Sequence, residues 1–337
     1  MNDQLSKHHK GAKFVSADAL TEHELGPLMG LVGEWRSVTL PAADPSGAKP
    51  PVSGWNVISV PGKGGFVFEV IPYVESLKFS TCAVQAGNRG PFVAGAGAET
   101  EADQQIFGLF YEQQIISACD SDFCQTRGFG KGTTIHAETG LLLFIKEFSG
   151  GYTIARLGTI PHGNAVLALG KFNDSIKPGT DFFDDISAVC TNLDGSSLGL
   201  LGYNDQIIGE RQFSAFPQAT PNAFLKSTLD TLVGKGVLES MTTLTMSTNA
   251  PNASGGILNI PFIQNNVSAA SMDATFWLQT ISGGSHEQLL QYSQTINLVF
   301  PPTGTAAPVK WPHITVNTLQ RVALDNAPDS VPRVPQL

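Results

Sequence analysis

Short runs of β-branched and aromatic residues, most of them bounded by Gly or Pro, recur along the chain, the pattern of successive strands on a half-buried sheet. They cover residues 55–60, 66–71, 105–116, 133–145, 152–157 and 165–172, and then 204–213, 237–247, 256–263, 274–281, 290–300 and 314–320. Helical spacing is rare. After Pro221, residues 222–233 bring Phe224, Leu225, Leu229 and Leu232 to one side of a predicted helix, and 25–32 reads as a short helix interrupted by Pro27 and Gly30. Stretches rich in Gly, Ser and Pro at 41–53, 82–102 and 173–202 read as long loops. An α/β enzyme would need a helix between most strands, and no repeat period supports a solenoid. The pattern predicts an all-β fold: one enlarged antiparallel β-barrel over 23–322, with long loops and one or two short helices, between a flexible arm at 1–22 and a tail at 323–337. Closing such a sheet leaves an interior able to hold a ligand.

Composition narrows the partners. The 337 residues carry a formal charge of -9 with only 15% charged residues and no basic cluster, which excludes a phosphate-neutralising stripe for nucleic acid. Although 42% of residues are hydrophobic, no uninterrupted apolar run reaches the roughly 18 residues of a membrane-crossing helix. Lys7, His8, His9 and Lys10 are not followed by an apolar segment, so no signal peptide is expected. The expectation is a soluble cytoplasmic protein, with a homodimer through an open strand edge as one arrangement. Cys82, Cys119, Cys124 and Cys190 suit a reducing compartment as free thiols, and the spacing of Cys119 and Cys124 leaves a hairpin clip as the alternative.

Candidate chemistry gathers on histidines. Period two puts His136 and Glu138 on one face of their strand, as either an acid–base pair or a satisfied structural pair. Arg156 precedes Ile160-Pro161-His162-Gly163, where Gly163 tolerates positive φ, and the turn either aims His162 at the barrel mouth or keeps it for its own hydrogen bonds. Trp311-Pro312-His313 opens a strand on which His313, Thr315, Asn317 and Leu319 share a face. His313 is there either a metal ligand, for haem iron in particular, or a member of an internal polar network. Trp35, in Gly33-Glu34-Trp35-Arg36, reads as the plug of a barrel end, with Arg36 on its ring or on backbone carbonyls. His286 lies in a polar turn, and Gly62, Gly64 and Gly65 read as a hairpin turn. No HExxH, Walker loop or GxSxG elbow is present, so the standard hydrolase mechanisms lose support.

Three segments carry a resemblance: 31–36 around Trp35, 136–140 with His-Ala-Glu-Thr-Gly, and 312–319, where Pro312-His313 leads to Leu319. Through them the chain resembles the nitrobindin-like haem-binding β-barrel family, whose architecture is of the lipocalin and fatty-acid-binding-protein type. The resemblance implies haem b held in its ferric state through a histidine near the C-terminus. His313 is then the proximal ligand, and His136 and Glu138 belong to a recurring strand motif. Ser37 stands where a glycine-rich continuation follows the tryptophan in that family, and this chain is much longer than the compact family barrel. Phe144, Trp277 and Phe300 are the candidates for the apolar wall of the porphyrin, with NO, O2 or peroxide as the reacting molecule. Two other readings stay open. One is a non-haem isomerase or hydrolase using His136, Glu138, Arg156 and His162; the other is a structural or interaction protein whose loops form the partner surface.

Overall fold

The computed structural model describes residues 13–14, 22–40, 52–62, 65–92, 101–145, 151–198, 216–251, 254–284, 287–302 and 307–322. Ten antiparallel strand positions close into one large barrel. β4 (Gly65–Phe92) pairs on one edge with β5 (Glu101–Ser117), and the ring runs on through β6 (Thr134–Ile145), β7 (Ile154–Ile160), β8 (Asn164–Ile176), β9 (Val237–Ser247), β11 (Ser268–Ser282), β12 (Gln288–Phe300) and β13 (Val309–Arg321). Two short strands share the last position. β2 (Gly33–Ser37) joins β13 to β4 at one end of the barrel, and β3 (Gly54–Gly62) joins them along the rest. Off the ring, β1 (Lys13–Phe14) pairs with β4 and β10 (Gly256–Asn259) with β8.

Strict alternation explains which side chains face inward. Tyr73, Glu75, Leu77 and Phe79 of β4 are buried while Val74 and Lys78 between them are exposed. Phe107, Leu109, Tyr111, Gln113 and Ile115 of β5 continue the inner surface. One end is stoppered by a four-residue helix α1 (Glu22–Leu25) and a 3-10 turn over Gly26–Leu31, whose Leu25, Leu28 and Leu31 are fully buried in the inner cluster beside Trp35. Trp35 donates from Nε1 to the Leu31 carbonyl at 2.8 Å. The partner expected on its ring is different. Arg36 points outward to Glu34 at 2.7 Å, because alternation sends the neighbour of an inward residue out. Arg321, which lies opposite Trp35 in the β2–β13 ladder, covers the ring at 4.6 Å and donates to the Val32 and Gly30 carbonyls.

The sheet carries a second layer outside. The connection from β8 to β9 crosses the outer face, and Phe182, Phe183, Phe216 and helix α3 (Asn222–Val233) pack there on Trp55, Trp277, Ile314 and Val316. The helix coincides with the predicted 222–233. Residues 82–92, read as loop, instead extend β4 by pairing with β5, which a strand can do through its backbone without an alternating side-chain pattern. Residues 256–263 divide into β10 and a short helix α4 (Pro261–Asn266), started by Pro261 at its first position. The predicted strand 204–213 lies outside the described residues. Among the described residues no helix is long and apolar enough to cross a membrane.

The expectation of four free thiols fails at one pair. Between β5 and β6 the helical turn α2 (Asp122–Thr126), capped by Ser121, returns Cys124 onto Cys119, and the two form a disulfide across a Cα separation of 6.1 Å. Cys82 and Cys190 take no part in a disulfide. Replacing both bridged cysteines by Ser is expected to lower the unfolding free energy by about 2 kcal/mol, the chain-entropy value for so short a loop. Urea unfolding of the double variant measures it. No change would mean that the turn is already constrained in the denatured chain.

Candidate functional site

A belt of polar side chains crosses the middle of the barrel. Glu138 of β6 and Arg156 of β7 are 2% and 4% exposed and meet at 2.8 Å between Nη2 and Oε1. Arg156 also donates from Nη1 to Gln294 Oε1 at 2.6 Å and from Nε to the Tyr111 hydroxyl at 3.1 Å, while that hydroxyl donates to Glu138 Oε1. The backbone leaves room for this: a Cβ on Gly158 would lie 2.4 Å from Glu138 Oε1 and 2.8 Å from the Tyr111 oxygen. Burial alone would raise the Glu138 pKa. The Arg156 charge, with hydrogen bonds from His136 and Tyr111, outweighs it and brings the carboxyl down to about 2.

Glu75 forms the other half of the belt, with neutral partners. It accepts from the Tyr292 hydroxyl at 2.6 Å, Asn317 Nδ2 at 2.8 Å and Gln113 Nε2 at 2.7 Å. Asn317 is itself held by Ser37 and Ser53, and the Tyr73 hydroxyl, 2.9 Å from that of Tyr292, donates to the Val316 carbonyl. Burial raises the Glu75 pKa, and the donated hydrogen bonds and the His136 charge offset only part of that.

Beyond the belt, at the end away from the Trp35 stopper, lie three histidines near enough for their charges to act on one another. His136 opens β6 and reaches Glu138 Oε2 from Nε2 at 3.4 Å. His162 sits in the β7–β8 turn, where Gly163 has φ +98° as the turn requires, and its ring lies over that of His136 with centroids 5.9 Å apart and planes inclined by 24°. His313, on β13, is flanked in register by Ile58 of β3 and Ile296 of β12, and its Nε2 lies 2.5 Å from the Asn56 side-chain amide. Burial, then the charges of His136 and His162, push its pKa down to about 4, so the ring is neutral near pH 7. The same two causes, burial and then the His136 charge, lower His162.

No family model matches the chain, and no curated protein is similar to it in sequence. Among solved structures, the crystal structure of Rv2717c from M. tuberculosis aligns with 92% of this chain and 99% of its own at a TM-score of 0.38 and 14% identity. The barrel stands on its own strand pairing.

The structure thus brings His136, Glu138, Arg156, His162 and His313 to one half of the barrel. Of the three aromatic candidates it places Phe144 and Trp277 elsewhere. Phe144 is eight positions along β6 from His136, roughly 26 Å by strand rise, and packs near Gly26 of the stopper and Phe172. Trp277 alternates with the inward Phe276 and faces the outer layer, 4.9 Å from Phe183. Phe300 stacks on Trp311 at 4.9 Å, and by alternation along the unbroken β12–β13 ladder both lie on the face that carries Ile296 and His313. Glu75, Tyr111, Gln113, Tyr292 and Gln294 complete the belt without having been singled out in the sequence. Their signal was a polar residue in an inward slot of an alternating strand. The space enclosed by Tyr111, Arg156, Phe276, Tyr292 and their neighbours is about 10 Å³, room for about one water. Among the described residues, the belt leaves that space too small for a substrate. Among the described residues no group of three or more His, Cys, Asp or Glu is arranged to hold a metal ion.

Proposed function

We propose that this barrel binds a flat hydrophobic molecule, with haem as the specific candidate, across its histidine-bearing end. The observation that carries this reading is the meeting of His136, His162 and His313, from distant parts of the chain, around one mouth whose His313 ring is uncharged. A haem needs a neutral imidazole and an apolar bed. His313 offers the first, and Ile58 and Ile296 on its two sides offer part of the second. The filled belt limits the ligand to the mouth, since a porphyrin cannot pass Glu75, Tyr292 and Arg156 into a space of about 10 Å³. Bound haem would supply an iron able to take NO, O2 or peroxide.

The protein's own residues have distinct parts in this reading. His313 presents a lone pair at any pH above about 4, and the Asn56 amide that now meets Nε2 gives way to the ligand. His136, tied to Glu138 and stacked with His162, lines the same end of the barrel. The test is absorption titration of the purified protein with ferric haem. A saturable Soret band in the wild type and in His162→Ala, lost in His313→Ala, is the expected result. Absence of uptake by the wild type, or a band unchanged in His313→Ala, overturns it.

A further inference from the structure

Outside the barrel, the outer layer is not filled evenly. Over β11 the Phe182 and Phe183 rings close on Trp277, with centroids 6.4 and 4.9 Å away. A few residues on, the same segment stands off the sheet, and Asp184 and Ile186 form one wall of a cleft of about 620 Å³, with Tyr152, Ala250 and Pro251 opposite. That volume is within the usual range for small-molecule sites. The cleft lies on the outer face of β8, β9, β11 and β12 and shares no lining residue with the histidine mouth.

The strand register makes its floor. Lys171, Thr245, Thr275 and Ser293 stand abreast in one row across the four strands, and Leu169, Ser247, Asp273 and Thr295 in the next. Neighbours in a row are about 4.8 Å apart and the rows about 6.7 Å apart. Five of these eight positions are hydroxyl side chains. The hydroxyls of Thr245, Thr275, Ser293 and Thr295 make no hydrogen bond to another described residue, while Ser247 accepts one from the Asn249 amide. Ser293 is nevertheless 6% exposed, so its hydroxyl opens into the cleft and not onto a flat solvated sheet. Tyr152 is fixed as a wall by donating to the Pro251 carbonyl, with Lys171 Nζ 5.8 Å from its ring.

We infer that this cleft is a binding site for a neutral polyhydroxylated ligand, a short oligosaccharide. Each floor hydroxyl both donates and accepts, so the grid can meet sugar hydroxyls in either sense. Asp273 adds an acceptor able to take two of them, and Lys171 adds a donor two strands away in the adjacent row. The cross-strand spacing is close to the advance of one pyranose ring along an extended glycan. Mixed charge at the rim, one lysine against Asp184 and Asp273, disfavours a strongly anionic ligand.

The test is titration of the full chain with maltotriose, cellotriose, xylotriose and mannotriose, followed by calorimetry and by the fluorescence of Trp277, two positions from Thr275. Saturable binding of at least one trisaccharide at millimolar or lower concentration is expected, weakened about tenfold in Thr275→Val with Ser293→Ala. Both are close in shape to the native residues, and an unchanged thermal midpoint shows that the barrel is intact. Should that pair lose its midpoint, Asp273→Asn, on an exposed position, gives the same reading. No saturable binding of any of the four sugars, or binding unaffected in folded variants, overturns the assignment.

Discussion

Replacing Arg156 by Leu is expected to destabilise the barrel by about 3–5 kcal/mol, the cost of leaving one member of a buried ion pair without the other. The substitution keeps the volume near Phe276 and removes the charge that offsets the burial of Glu138. It also removes the hydrogen bonds that Arg156 donates to Gln294 Oε1 and to the Tyr111 hydroxyl. The midpoint of denaturant unfolding reads the loss, and the double variant Arg156→Leu with Glu138→Leu is expected to recover most of it, because a charge pair replaced by apolar groups is often nearly neutral. A single-variant loss below about 1 kcal/mol, the range of exposed pairs, would show that water reaches Glu138 in the folded protein. The belt would then be a wet channel.

The two buried carboxyls are expected to answer pH in opposite senses. Glu138 has its folded pKa near 2, below its ordinary 4.5, so its contribution is present above pH 4.5 and is lost as pH falls toward 2. Glu75 has its folded pKa above 4.5, so its contribution is complete below pH 4.5 and is lost as pH rises through the folded value. Glu138→Gln should therefore flatten the acid side of the stability profile. Glu75→Gln should instead gain on the wild type as pH rises, since the amide keeps a neutral group among Tyr292, Asn317 and Gln113. Unfolding free energies across pH 3 to 9 for the three proteins decide it, in steps of about 1.4 kcal/mol for each proton whose binding is tied to folding over one pH unit. Parallel profiles for wild type and Glu75→Gln would mean that Glu75 titrates as it does in the unfolded chain.

The barrel was legible because alternation is local: the inward positions of β5, β7 and β12 can be read from adjacent residues. The same rule put His136 beside Glu138 and His313 beside Asn317 on shared faces, and both pairs point inward. What sequence could not supply was register. Arg156 meets Glu138 because β6 and β7 pair Leu142 with Arg156 and Gly140 with Gly158, and nothing near either residue announces that offset. Arg36 was the nearer choice for Trp35, and the long-range Arg321 holds the place. Trp277 left the expected aromatic wall for a related reason. Trp277 is as hydrophobic as an inward residue but faces a second layer, and a strand buried on both sides gives no alternation to separate its two faces. The second layer also supplies the cleft, whose hydroxyls read in sequence as ordinary strand residues until two walls stand over them.

One consequence concerns how the molecule is made. β13 stands between β12 and the position shared by β2 and β3, and Arg321 reaches back 289 positions to the Val32 carbonyl. The ring stays open, with two bare edges, until residues 309–321 have been synthesised. Trp35 and its stopper then await a partner until those residues emerge, and closure depends on contacts of very long sequence separation, which are slow to form. The interval in which this protein is open to edge-to-edge aggregation is thus set by the arrival of β13 and not by the speed of the earlier hairpins.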